Sequence, residues 1–313
     1  MTTYILRRIV STIGVMAMVG IFIFLLLRMS PGDPAAIIAG DTATPEIIAG
    51  IRDKLGLNDP LPLQFVHWAL AILGGDFGTS MFSGGPVLQL ISQRLQPTIS
   101  LAMLTMILSV TIGVSFGVFS GWRSGGLLDR FLSAFTAVGF SVPVFVVGYF
   151  LVYYLAIRTH WLPVQGYSPI DEGLGPWFMH LILPAVALSL FYIAFIARIT
   201  RASMIEVLSE DYMRTAAAKG ASTYAMLFHH ALKNAGVPIL TVIGLSFAYL
   251  ISGVVITETV FNVPGIGRLT VDAINNRDYP VIQGVLILAS GMYVLVNLGV
   301  DLAYTFIDPR IRY

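Results

Sequence analysis

Few side chains in this 313-residue sequence are arranged for bond-making chemistry. His229 and His230 are adjacent, and neighbours on a helix point about 100° apart, so they make a poor joint metal site. They also lack the His-Glu-x-x-His spacing that puts two imidazoles on one face. Ser141, in Gly-Phe-Ser-Val-Pro, would need a base to act as a nucleophile, and no histidine falls inside a membrane span to serve as one. Asp76 sits in the turn cluster Gly75-Asp76-Phe77-Gly78 and reads as a turn or capping residue rather than a ligand. No Gly-x-x-x-x-Gly-Lys-Ser/Thr loop occurs, so nucleotide phosphates are not cradled here by that means. Cysteine is absent, which excludes disulfides, thiolate metal sites and thiol nucleophiles.

Composition explains why chemistry is so sparse. Hydrophobic residues make up 56% of the chain and charged ones only 11%, against about a quarter charged in soluble domains. This is an all-α polytopic membrane protein. A net charge of +1 gives no basic surface for nucleic acid. A hydrocarbon core about 30 Å thick needs about 20 helical residues, and six uncharged runs supply them. The expected spans are 9–27, 98–120, 132–156, 181–198, 237–257 and 281–302. Glu258 and Asp301 fall at span ends, not at the midplane where an ion-coupled secondary transporter places its relay.

Orientation follows from Lys and Arg. With both termini in the cytoplasm, the inner segments hold Arg7, Arg8, Arg123, Arg130, Arg198, Arg201, Arg214, Lys219, Lys233, Arg310 and Arg312, the majority of 18 basic residues. The run after Arg7-Arg8 is longer than a signal-peptide core and no small-x-small cleavage site follows, so it reads as a retained helix. Three regions result: an N-terminal transmembrane helix over 1–30, a periplasmic segment with short helices over 31–95, and a five-helix core over 96–313. In the periplasmic segment, Thr44, Pro45 and Glu46 open a helix that Gly56 closes. A second helix over 63–73, with Phe65 and Trp68, suits the outer membrane interface. Gly113, Gly117 and Gly121 recur every four residues, which lets another helix backbone approach one face. Pro143 and Pro184 can kink their spans. His160, Trp161, Trp177 and His180 read as an interfacial belt.

The segment 198–238 is the longest polar interval rich in basic residues. Helical pieces are expected over 202–219 and 223–234, with Gly220 making the turn between them. Charge alone leaves two readings open, a docking element for a cytoplasmic partner or an ordinary solvated loop.

The run Glu210-Asp211-Tyr212-Met213-Arg214-Thr215-Ala216-Ala217-Ala218-Lys219-Gly220 resembles the EAA-type loop of bacterial ABC importer permeases of the dipeptide/oligopeptide branch. Pro31-Gly32-Asp33-Pro34, Leu55-Gly56-Leu57, Gly75-Asp76-Phe77-Gly78, Glu258-Thr259-Val260-Phe261-Asn262-Val263-Pro264-Gly265-Ile266-Gly267-Arg268-Leu269, Arg277-Asp278-Tyr279-Pro280 and Asp308-Pro309-Arg310-Ile311-Arg312-Tyr313 resemble that branch in order, end to end. Arg214 and Thr215 depart from the broad pattern, standing where its Glu and first Ala would be. His230-Ala231-Leu232-Lys233 stands where Ile-x-Leu-Pro is expected. The resemblance implies a type I ABC importer permease fold of six transmembrane helices, and an ATPase-docking role for Asp211, Tyr212, Arg214, Thr215, Ala216, Ala217, Lys219 and Gly220. It also implies a second homologous permease, two ATPase subunits that carry ATP and Mg, a periplasmic or lipid-tethered binding protein, and membrane lipid. No cofactor is implied on this chain. The cargo it implies is a dipeptide or oligopeptide, with glutathione, nickel chelates and opines as alternatives. An ion-coupled secondary transporter and an intramembrane hydrolase using Ser141 are the rival classes.

Overall fold

The computed structural model describes residues 2–29, 33–39, 43–54 and 56–307. Pro31, Gly32, Leu55 and the terminal Asp308 to Tyr313, all quoted above for the resemblance, lie outside them. Apart from an isolated bridge between Thr79 and Pro86, the regular elements among the described residues are helices. In chain order they are α1 (Thr2–Met29), α2 (Pro34–Ala39), α3 (Pro45–Lys54), α4 (Leu61–Leu73), α5 (Val87–Trp122), α6 (Leu127–Ser141) and α7 (Val144–Leu151). The last runs into a π-helical turn, Val152–Arg158. Then come α8 (Leu174–Leu208), α9 (Asp211–Ala218), a π-helical stretch Ala225–Ala231 leading into α10 (Leu232–Asn234), α11 (Gly236–Val260), α12 (Ile266–Asn275) and α13 (Tyr279–Ile307).

Three helices, Val87–Trp122, Leu174–Leu208 and Tyr279–Ala303, are long and apolar enough to cross a membrane unaided. Two bent pairs bring the number to five, and α1 carries the shorter apolar stretch Val10–Leu26. The structure corrects the expected third span, which is a broken helix instead of a kinked one. Leu127–Ser141 and Val144–Arg158 meet at 100°. Val142 is extended (φ −90, ψ 120), because a residue before proline is pushed out of the α region and a β-branched one gives up little by leaving it. Pro184, by contrast, lies inside an uninterrupted α8. The break frames a cavity of about 630 Å³ whose wall is almost wholly apolar, with Phe140, Val144, Phe150 and Phe191 among its lining residues.

Contacts group the chain into two units, Met1–Leu95 with Leu269–Val294 and Gln96–Arg268 with Leu295–Tyr313. In the first, Phe24 of α1 is buried against Phe65 and Trp68 of α4, with ring centroids 5.4 and 5.6 Å away. The Thr44 carbonyl accepts the Ile47 and Ile48 N–H groups at the start of α3, and Gly56 (φ 62) follows its end. Arg52 of α3 binds Asp33 at 2.7 Å, which holds that carboxyl below its ordinary range. Asp76 accepts the Gly78 N–H at 2.8 Å and so acts within its own turn. Asp278, buried ahead of α13, accepts from the Ser80 hydroxyl and from the Met81 N–H at 3.1 Å.

The second unit is built around α8. Leu181, Leu188 and Tyr192 of α8 form one buried cluster with Leu101 and Leu104 of α5 and with Leu250 and Val254 of α11. Glu258, fully buried near the end of α11, is a polar group inside this packing. Its carboxylate accepts from the Thr98 hydroxyl at 2.6 Å and the Arg268 N–H at 3.0 Å, while Thr98 in turn accepts the Ile266 N–H at 2.8 Å. The carboxylate thereby satisfies donors at the start of α12 that no helical carbonyl can reach. A Cβ at Gly265 would overlap it.

Candidate functional site

The expected single helix over 202–219 is two. Helix α8 continues to Leu208 and stops where the Ser209 hydroxyl bonds the Glu206 carbonyl at 2.7 Å. Glu210 is extended (φ −67, ψ 147), and α9 starts at Asp211 in a new direction. A serine that turns its hydroxyl on the backbone competes with the helical ladder, which is the local reason for the break.

Helix α9 buries one side chain. Met213 is buried in a cluster with Val118, Met204, Leu227, Ala231 and Ile239. Around it the face is open: Asp211, Tyr212, Arg214, Thr215, Ala217, Lys219 and Gly220 are exposed and Ala216 is half-buried. Arg214 and Asp211 approach to 3.5 Å, but both side chains are largely in solvent, so the pair adds little stability. The Thr215 hydroxyl bonds the Asp211 carbonyl at 3.1 Å. Asn234 donates to the Tyr212 hydroxyl at 3.0 Å and to the His230 carbonyl at 2.9 Å, tying α9 to the returning strand of chain.

The turn at Gly220 has a defined geometry. Its N–H bonds the Ala217 carbonyl at 2.9 Å and the Ala221 N–H bonds the Ala216 carbonyl at 3.2 Å, the paired bonds of a Schellman cap. Gly220 takes φ +83, which costs a residue with a Cβ about 1 kcal/mol or more. A Cβ there would meet nothing in this chain within 4 Å. Beyond the turn, the Ser222 hydroxyl accepts the Ala225 N–H at 3.3 Å. The expected helix over 223–234 is then a correction in kind: it is π-helical through Ala225–Ala231 and α-helical only over Leu232–Asn234. The wider turn keeps Leu227 and Ala231 in the buried cluster while His229 stays exposed. Among the described residues no group of three His, Asp or Glu side chains is placed to hold a metal.

The glycine stripe of α5 lies against α8. A Cβ at Gly113 would come to 3.0 Å from the Ile196 Cβ, one at Gly121 to 2.7 Å from the Met204 Cβ, and one at Gly117 would overlap Thr200. Two further polar features were not picked out by sequence reasoning. Asp129 at the start of α6 is buried and accepts from Nε and Nη2 of the Arg201 guanidinium, the Ser120 hydroxyl at 2.7 Å and the Gly125 N–H at 2.8 Å. Arg201, counted above only as a positive charge, is therefore the partner that makes a buried carboxylate tolerable. Met213 was missed as an anchor; its signal is an apolar residue alone in a polar run.

A family model described as "Binding-protein-dependent transport system inner membrane component" matches residues 113–313, and its N-terminal counterpart matches residues 1–102. A protein of Sinorhizobium fredii named "Probable peptide ABC transporter permease protein y4tP" is 75% identical over 313 residues, covering 100% of both chains. The glutathione transport system permease protein GsiC of Salmonella typhimurium is 41% identical over 314 residues, with 100% of each chain covered. Among solved structures, an inward-facing form of the MetNI methionine ABC transporter aligns with a TM-score of 0.60 at 16% identity, covering 71% of this chain and 97% of that one. This last likeness concerns the fold alone.

Proposed function

This chain belongs to the family of binding-protein-dependent transport system inner membrane components, and on that premise we propose that the segment 198–238 couples it to ATPase partners. The chain is the permease subunit of an ABC importer and resides in the inner membrane. The proposal extends this to a full assembly: a second, similar permease, two ATPase subunits that carry ATP and Mg, and a periplasmic or lipid-tethered binding protein that delivers solute to the outer face. Relatives named for peptide and for glutathione transport favour a cargo of peptides or a related small solute.

The observation that carries the coupling role is the construction of α9. Met213 anchors it in the packing that contains Met204 of α8 and Val118 of α5. Asp211, Tyr212, Arg214, Thr215, Ala217, Lys219 and Gly220 are left for another surface, and Ala216 lies at their edge. Small side chains around a tight turn let a partner approach the backbone closely. An ordinary solvated loop has no need of a buried anchor, a Schellman cap and a polar tie at Tyr212. Closure of the ATPase pair on ATP would then displace α9, and through Met213 the helices packed on it, between inward- and outward-open states.

The test is reconstitution with the binding protein, second permease and ATPases. Gly220→Val should insert and accumulate normally yet lose uptake and binding-protein-stimulated hydrolysis. Thr44→Val, in the outer segment, should retain both. Gly220→Asn separates the causes: asparagine tolerates positive φ, so a loss that persists in it reports contact with the partner and not strain within the turn. Wild-type uptake by Gly220→Val at normal expression would reduce Gly220 to a loop glycine and sink the proposal.

A further inference from the structure

The outer end of α1 forms one wall of a cleft that transport does not explain. Its volume is about 240 Å³, and Arg28, Trp68, Asp76, Phe77, Tyr279 and Gln283 are among the residues that line it. The Arg28 guanidinium lies 5.3 Å from the centroid of the Phe24 ring, and among the described residues it forms no ion pair. Trp68 donates its indole N–H to the Gln283 carbonyl oxygen at 3.1 Å, which leaves the Gln283 amide N–H₂ as a second donor. Asp76, exposed, accepts the Gly78 N–H through Oδ1 and keeps Oδ2 for another donor. The cleft thus offers a fixed cation, a neutral donor, a carboxylate and aromatic walls.

What surrounds the cleft narrows the ligand. Phe22, Leu25 and Leu26 of α1 are exposed, as are Leu63, Val66, Leu70 and Leu73 of α4. The four α4 positions fall on one side of the helix, opposite Phe65 and Trp68, which pack on Phe24. A helix apolar on both sides is not at rest in water, and the outward stripe of α4, like the exposed residues of α1, is apolar. Arginine, tryptophan and tyrosine side chains mark headgroup depth. We infer that this cleft holds the headgroup of an outer-leaflet glycerophospholipid, with Arg28 on its phosphate, Asp76 on the ammonium of an ethanolamine headgroup, and the acyl chains along the exposed faces of α1 and α4. Arginine suits a phosphodiester because its planar fork can donate two parallel hydrogen bonds. A free phosphate would use Arg28 equally well but would gain nothing from the leucine stripe.

The test uses the complete transporter in nanodiscs of equal phosphatidylethanolamine and phosphatidylglycerol, released into native mass spectrometry. One phosphatidylethanolamine should stay bound per copy of this chain. Arg28→Gln should lose it, and Ala71→Phe, which fills the cleft from its wall while keeping the arginine, should lose it as well. Millimolar inorganic phosphate should not displace it. Retention by both variants would overturn the site. Displacement by inorganic phosphate would overturn the lipid as its occupant, and retention of phosphatidylglycerol in place of phosphatidylethanolamine would overturn the role of Asp76.

Discussion

Replacing Gly117 by alanine sets two effects of opposite sign against each other, and the structure says which wins. Alanine in a helix interior is favoured over glycine by about 0.5–1 kcal/mol. Forcing an extra methyl into a packed interface costs about 1–3 kcal/mol. At Gly117 the new Cβ would overlap the Thr200 side chain and sit 2.8 Å from the Ala197 carbonyl oxygen. Neither obstacle can rotate away, because a Cβ and a carbonyl are fixed to the helix that bears them. The cost is therefore near the upper limit, and the net loss is about 2–2.5 kcal/mol. At Gly113 the nearest atoms are the Ile196 Cβ at 3.0 Å and Cγ2 at 3.1 Å and the Ile193 oxygen at 3.2 Å, so a shift of a few tenths of an ångström suffices and the two effects nearly cancel. Gly121, at 2.7 Å from Met204 Cβ and 3.1 Å from the Arg201 oxygen, falls between them. Thermal unfolding of the three purified Gly→Ala variants in detergent, followed by circular dichroism, should rank them Gly113 most stable, Gly121 next and Gly117 least. If Gly113→Ala is the worst of the three, or Gly117→Ala unfolds like the parent, the stripe is not an α5–α8 contact. Subunit dissociation with unchanged unfolding would assign it to a partner chain.

Two other expectations concern the buried ion pair and the topology. Asp129→Ala strands the Ser120 hydroxyl, the Gly125 N–H and the Arg201 charge; because the Arg201 side chain is 30% exposed, the loss in the same unfolding assay should sit at the low end of about 3–5 kcal/mol, and Asp129→Leu with Arg201→Met should recover most of it. Single cysteines at the exposed Thr79 and Thr223, in a chain with no cysteine of its own, should react with an impermeant maleimide from opposite sides of sealed membranes, Thr79 from outside; labelling of both from one side would refute the orientation.

The class of the fold was legible because it depends on length and hydrophobicity, which are properties of runs of residues. The spans of α5, α8, α11 and α13 each begin or end outside the expected limits, since polar residues such as Arg201 remain helical when a neighbour satisfies them. The break at Pro143 was read as a kink because proline alone does not fix its angle; the extended Val142 before it turns the kink into a break. Glu258 was placed correctly at the end of α11 but read only as an absent relay. Its function in capping α12 needs Thr98, which is 160 residues away, and no local pattern reports such a distance. The residues proposed for coupling stand out in the sequence as a resemblance and as charge, whereas the anchor Met213 and the tie from Asn234 to Tyr212 depend on tertiary packing.

Those tertiary contacts determine what a force on α9 can do. Met213 shares its cluster with Met204, and Met204 is one turn beyond Thr200 and two beyond Ile196, the positions that face the α5 glycines. Between them, Arg201 binds Asp129 and so fastens the first turn of α6 to the same stretch of α8. Close-packed interiors deform little and repack instead between discrete arrangements. A displacement delivered at Met213 would therefore bear on the end of α8 that carries Met204, and on α5 and the first turn of α6 held against it. The 100° break after Ser141 is where such a body can change its angle to α7 without disturbing a helical ladder, since none crosses Val142 and Pro143. That division places the close-packed helices near the proposed docking surface and the helix break beside the apolar cavity.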